Sequence, residues 1–230
     1  MQRRVKKPLA PAPSAGFLTL KERVCQILRQ EIIAGKTPPG TRLVRRGISK
    51  RLGVSPIPVI EALHQLEQDG LVESEPMFGH RVRVLTAESM RNDHVLREAI
   101  ECQSARLCAE HAISQQLEEL AGQAEVLDKL VVSDPGGQTH AEKHLDFHLN
   151  IARYTGYSAL VDALAKLWFR RLMVLNTLTA ATLGVPDQWH AQLVKAIRSR
   201  DADRAEKAMR KHVLYNVKQQ MEDLAKSLKT

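Results

Sequence analysis

Ser49-Lys50-Arg51-Leu52-Gly53-Val54-Ser55-Pro56-Ile57-Pro58-Val59-Ile60-Glu61-Ala62-Leu63-His64-Gln65-Leu66-Glu67-Gln68-Asp69-Gly70-Leu71-Val72 reads as a short helix, a tight turn at Gly53, and a second helix from Ser55 to Gly70. Ser55 has the side chain of an N-cap, able to satisfy an orphan amide of the first turn. Pro56 and Pro58 fall in that turn, where a missing N–H costs nothing. Gly70 stands where a left-handed C-terminal residue is expected. Val59, Ala62, Leu63 and Leu66 recur at helical spacing as one apolar stripe, and Ile57, Ile60, His64 and Gln68 lie opposite. This is the layout of a helix-turn-helix, whose second helix offers its outer N-terminal residues to a major groove. An ordinary helical hairpin has the same spacing.

The surroundings favour the first reading. Leu71–Glu73 and Arg81–Leu85 are short β-prone runs around Pro76-Met77-Phe78-Gly79-His80, which predicts a two-stranded wing directly after the second helix. Charge is distributed unevenly along the 230 residues. Residues 1–85 carry 15 Lys/Arg against 7 Asp/Glu, a net of +8, whereas residues 86–230 carry 19 of each. All the excess positive charge therefore lies on the segment with the hairpin and wing, as phosphate neutralisation requires.

Residues 1–16 are basic and then rich in Pro and Ala, without the apolar core of a signal peptide, and read as a disordered arm. Leu18–Ala34 is an amphipathic helix, Lys36–Gly40 a turn, Thr41–Val44 a short strand and Arg45–Leu52 the first helix of the hairpin. Cys25, Cys102 and Cys108 have neither paired nor metal-type spacing and read as reduced thiols of a cytoplasmic protein. No run approaches a membrane span.

Ile33-Ala34-Gly35, Pro39-Gly40-Thr41-Arg42-Leu43, Leu52-Gly53-Val54-Ser55, Pro58-Val59-Ile60-Glu61-Ala62-Leu63 and Leu66-Glu67-Gln68-Asp69-Gly70-Leu71-Val72 together resemble the winged helix of the GntR family of bacterial transcription regulators. The resemblance covers nearly all of 17–85. It departs at two positions: Pro56 and Ile60 stand where the family commonly has arginines that hold phosphates or guanine edges. The resemblance leaves Arg46, Ser55 and the wing residues Gly79, His80 and Arg81 as candidate DNA contacts, beside Ile57, Ile60 and His64 of the hairpin. Ile60 can pack on a thymine methyl, and Arg45, Lys50, Arg51 and Arg81 can hold the phosphate backbone.

From Ala87 onward the β signal disappears and about six helices are expected: 87–112, 114–131, 139–154, 158–183, 186–200 and 202–228. Four histidines call for an explanation. His144 and His148 are four apart, about 40° in projection, so both can face one point. His190 and His212 each adjoin an apolar stripe. Imidazoles converging inside a bundle suit Zn²⁺ or another first-row divalent ion, although a histidine on an apolar face usually just hydrogen-bonds in the core.

His144…Phe147-His148 and His190…His212, with Ala196-Ile197, Asp201 and Ala205 between the latter two, resemble the all-helical effector domain called FCD in the FadR-type branch of the GntR family. In metal-binding members an Asp and three histidines hold the ion. The resemblance carries three of those positions onto His148, His190 and His212, with His144 at the position of the Asp. Asp146 cannot replace it, since two residues along a helix is about 200° away. A four-histidine set, or three plus water, is softer and favours Zn²⁺ or Ni²⁺ over Mn²⁺. Arg97 matches a family arginine facing the effector cavity, where a guanidinium opposite a metal would clamp a small carboxylate. A surface pair with Glu101 is the plain alternative.

The expected protein is mainly α. A disordered arm (1–16) precedes a winged helix-turn-helix (17–85) and an all-helical effector-binding and dimerisation bundle (86–230). The resemblance implies a cytoplasmic homodimer, a repressor, on a pseudo-palindromic duplex operator, modulated by an organic acid bound near a His-rich metal site. Two rival readings are a metal-dependent helical enzyme with a winged-helix interaction module, and a regulator that has lost metal and ligand sensing. No carboxylate stands three or four residues from His148 on the metal face, which argues against the enzyme.

Overall fold

The computed structural model describes residues 18–133, 137–175 and 186–215. The chain divides into two compact units, parted between Val84 and Leu85. The arm expected at 1–16 lies outside the described residues.

The first unit runs α1 (Leu20–Ile33), β1 (Arg42–Leu43), α2 (Arg45–Leu52), α3 (Pro56–Gln68), β2 (Val72–Glu75) and β3 (Gly79–Val82). A capping box starts α1: Thr19 Oγ1 accepts from the Glu22 amide at 3.2 Å, and Glu22 Oε2 accepts from the Thr19 amide at 2.7 Å. Val24, Leu28 and Ile32 are buried on α1, which packs against the fully buried Val59, Ala62, Leu63 and Leu66 face of α3. Each buried Val, Leu or Ile here contributes roughly 1.5–3 kcal/mol by leaving water. Gly53 closes α2 at φ 68°, a left-handed conformation that L side chains resist.

Ser55 does occupy the N-cap of α3, but its hydroxyl makes no capping hydrogen bond. The reason is local. A capping oxygen accepts from the second or third helical amide; the third residue is Pro58, which has none, so the Ile57 amide is left as the one capping donor. The strands pair antiparallel in the order β1-β3-β2. Both wing strands differ in extent from the expected Leu71–Glu73 and Arg81–Leu85. They reach closer to a turn of only Pro76, Met77 and Phe78, where Met77 takes φ 68°.

The second unit contains α4 (Ala87–His111), α5 (Ser114–Ser133), α6 (Gln138–Arg153), α7 (Ser158–Leu175), α8 (Trp189–Arg198) and α9 (Ala202–Leu214). Thr86 Oγ1 caps α4 through the Ser89 amide at 3.1 Å, and Asp201 Oδ1 caps α9 through the Arg204 amide at 3.0 Å. Ser114 is the first residue of α5, and Gln116 Oε1 accepts from the Ile113 amide at 3.0 Å. The expected continuations of α7 to 183 and of α9 to 228 lie outside the described residues. Helix α8 starts at Trp189, later than the expected 186.

Helix α4 lies along α9 and α7, and α5 packs on α6 and α8. Phe147, Leu120, Leu127, Ile197 and Met209 form the main core, and Trp168 with Leu149, Ala152 and Leu164 forms a smaller one. Among the described residues, no helix is long and apolar enough to cross a membrane.

Candidate functional site

In the first unit the helix-turn-helix presents a cationic edge. Arg45, Arg46 and Lys50 are exposed along α2 and make no ion pair among the described residues. Ser55 is exposed, Ile57 keeps 68% of its surface and Ile60 is half-buried on α3. Two other expected contacts are engaged internally. Arg51 forks onto Glu31 with contacts of 2.5 and 2.8 Å. Arg81 donates from Nε to Glu73 at 2.7 Å, with Glu75 3.5 Å from its Nη1.

His80 requires a correction. It is not at an exposed wing tip: β3 already begins at Gly79, and strand alternation turns His80 and Val82 inward. The ring is 3% exposed, which removes it as a base contact. His64 keeps more than half of its side chain exposed on α3.

In the second unit every helix contributes to one centre. His144 and His148 come from α6, His190 from the first turn of α8, and His212 from the last turn of α9. One ring nitrogen from each of His144, His190 and His212 lies within 4.8 Å of the other two. His148 joins them through its Nε2, 3.0 Å from Nε2 of His144. His190 and His212 meet edge to face with ring centroids 5.1 Å apart, and His148 and His212 are tilted to each other at 5.2 Å.

Two carboxylates hold the rings from behind. Nδ1 of His190 donates to Asp128 Oδ1 of α5 at 2.7 Å, and the same carboxylate accepts the amides of His190 and Ala191 at 3.0 and 3.1 Å. Nδ1 of His148 meets Glu101 Oε2 of α4. A histidine anchored at Nδ1 turns the lone pair of Nε2 to the opposite side, the arrangement that prepares a metal ligand. Nε2 of His190 and Nδ1 of His212 are buried with no hydrogen-bond partner among the described residues. Unsatisfied imidazole nitrogens converging within bonding reach fit a first-row divalent ion, whose softer members prefer nitrogen donors.

Electrostatics favour neutral rings. Burial, reinforced by the neighbouring imidazoles, holds His144 and His212 well below the ordinary histidine value. Burial also lowers His148, although Glu101 opposes it. Burial pushes the Asp128 carboxyl up, but hydrogen bonds from the His190 ring and the two amides outweigh it, so the group is held low. Glu101 is likewise held low: burial opposes ionisation, and Arg97 and His148 outweigh it.

Arg97 does pair with Glu101, Nε to Oε1 at 2.5 Å, but the pair is buried and not on the surface. Its guanidinium carbon lies 4.6 Å from the Trp168 ring centre, and Trp168 Nε1 donates to the same Glu101 oxygen at 3.2 Å. Arg171 of α7 stands 5.6 Å from that ring centre. Burial, then the charge of Arg97, lowers Arg171 to about 9, still charged at neutral pH. The guanidiniums of Arg97 and Arg171 thus both lie against the Trp168 ring.

Glu101, Asp128, Trp168 and Arg171 were not among the site residues expected from sequence. In the sequence Glu101 stands out only as a neighbour of Arg97. Asp128 sits 62 residues from His190 and carries no local signal. Neither carboxylate serves as a general base toward the centre, since each faces the Nδ1 side of its histidine.

The sequence profile of the FCD domain matches residues 94–215, and that of the bacterial regulatory proteins of the gntR family matches residues 20–82. The chain is 27% identical over 203 residues to the HTH-type transcriptional repressor RspR of Escherichia coli (strain K12), covering 84% of this chain and 86% of that protein. It is 30% identical over 225 residues to the Uxu operon regulator of Haemophilus influenzae, covering 88% of this chain and 82% of the relative. Among solved structures, E. coli McbR/YncC has a similar fold, with a TM-score of 0.76 at 21% identity over 90% of this chain and 99% of that one.

Proposed function

The chain belongs to the GntR family of bacterial regulatory proteins with an FCD domain, a family of DNA-binding transcription regulators, and from that premise we propose a metal-assisted repressor released or retained by a small organic acid. It acts in the cytoplasm, as a homodimer on a pseudo-palindromic operator, because two-fold protein symmetry calls for a two-fold site. Arg45, Arg46 and Lys50 grip phosphates, while Ser55, Ile57, Ile60 and His64 face base edges. Gly79 and Arg81 approach the backbone from the wing. An apolar Ile60 in place of a guanine-reading arginine favours thymine at the position it meets.

The observation that carries the effector reading is the shared carboxylate: Glu101 joins Arg97 to His148, so the anion-binding side chain and the imidazole cluster meet at one buried group. His144, His148, His190 and His212 would hold the ion, with Zn²⁺ favoured and Ni²⁺ the alternative for an all-nitrogen set. A bound divalent ion supplies a Lewis-acidic anchor for one carboxylate oxygen. Arg97 would take the other oxygen, and Glu101 with Trp168 holds its guanidinium in place. Ligand-dependent movement of α4, α8 and α9 is the route by which binding alters the spacing of the recognition helices.

The test uses untagged full-length protein and duplex DNA flanking its own gene. Metal analysis should return Zn²⁺ or Ni²⁺, with one equivalent lost in His190→Ala/His212→Ala. A mobility-shift series with mono-, di- and hydroxy-carboxylic acids should change operator affinity for at least one class, and Arg97→Gln should abolish that response. Acids that bind tightly and leave DNA affinity unchanged would overturn the switching claim. Light scattering checks the dimer.

A further inference from the structure

The winged unit contains a second convergence of metal-type ligands. His64 and Glu67 lie three residues apart on one face of α3, and β3 brings His80 against them. One ligand atom from each lies within 4.8 Å of the other two. The His80 side chain is 3% exposed, and neither ring nitrogen finds a hydrogen-bond partner among the described residues. Glu67 Oε2 stands 3.7 Å from Nε2 of His80 and 3.6 Å from Nδ1 of His64. The other carboxylate oxygen, Oε1, accepts the Ser74 amide at 3.1 Å, so the backbone of β2 fixes how the carboxylate is aimed. The two rings meet edge to face with centroids 5.4 Å apart.

Both separations exceed hydrogen-bond length. They come within a few tenths of an ångström of the spacing of about 3.4 Å between ligand atoms on a tetrahedral Zn²⁺ with bonds of about 2.0–2.1 Å. His64 and Glu67 retain 58% and 35% of their side-chain surface, which leaves an open side for entry and for water.

We propose that His64 Nδ1, Glu67 Oε2 and His80 Nε2 form a divalent transition-metal site, taking Zn²⁺ with water as fourth ligand, that fastens the wing to α3. The site goes beyond the function proposed above, whose metal reading needs only the histidines of the bundle. Metal here joins the two elements expected to touch DNA, so duplex affinity depends on wing-site occupancy even when the bundle histidines are removed.

The experiment counts Zn²⁺ on untagged full-length protein by mass spectrometry, with competition against a chromophoric chelator for affinity. Wild type should bind one more equivalent than His64→Gln or Glu67→Gln, each of which should weaken that equivalent at least tenfold. His64 is exposed, so His64→Gln reports on metal without threatening the fold, unlike a change at buried His80. His190→Ala/His212→Ala should keep the equivalent, and its Co²⁺ form should show visible d–d absorption that vanishes when His64→Gln is added. Unchanged stoichiometry and affinity in both wing variants would overturn the proposal. A loss confined to the bundle variant would overturn it while leaving the bundle reading intact, and the reverse pattern would do the opposite.

Discussion

Glu101 accepts from Arg97 and Trp168 through one oxygen and meets Nδ1 of His148 through the other, and Asp128 accepts from a ring and two amides. Neutralising either should act on metal before it acts on anything else. Asp128→Asn is expected to weaken Zn²⁺ binding by about 10–100-fold, because ring orientation and basicity both depend on the carboxylate; chelator competition measures it. His94, also buried, tests the acid limb. Burial, then the charges of Arg97 and Arg171, lowers it to about 4 from the ordinary 6.5. Its folded value is depressed, so the unfolded chain binds the proton first. The associated stability is complete above pH 6.5 and is lost as pH falls toward 4, at most on the order of 3 kcal/mol. His94→Phe should flatten that part of a urea-denaturation series against pH. The four histidines of the centre were visible in sequence because helical spacing and a family pattern both singled them out. Their carboxylate partners were not, because contacts between α4 and α6 and between α5 and α8 are products of packing and leave no mark within one helix.

At the scale of elements, periodicity served the helices well and the wing poorly. The buried stripe of α3 follows from spacing alone, since the apolar residues have no other way to leave water. Strand ends are a different matter: Gly79 opens β3 because the turn is only three residues long, and that shift alone moves His80 from the tip to the interior. The capping box at Thr19 is legible in the pattern Thr-x-x-Glu. Its removal in Thr19→Ala should cost about 1 kcal/mol by urea denaturation, since one orphan amide of α1 loses its acceptor. On α2, Arg46→Ala is expected to weaken binding to operator and to unrelated duplex alike and to reduce the salt slope by about 1. A loss confined to the operator would instead make Arg46 a reader of bases.

Over the whole molecule, the charge partition between residues 1–85 and 86–230 was plain from composition and has a direct consequence: duplex affinity should fall linearly on a log–log plot against salt, by about 0.9 decades per decade for each phosphate neutralised. Fluorescence anisotropy across a salt series checks this, and a flat response would contradict DNA binding as the task of the first unit. The junction at Glu101 reaches further. A carboxylic acid that drew Arg97 toward itself would leave Glu101 to His148, making that imidazole more electron-rich and its hold on an ion firmer. Reciprocity then requires the ion to strengthen the hold on the acid by the same factor. A bacterium starved of zinc would answer a given dose of nutrient more sluggishly, its induction curve displaced to higher concentrations, so the regulator would weigh two supplies against each other instead of reporting on one.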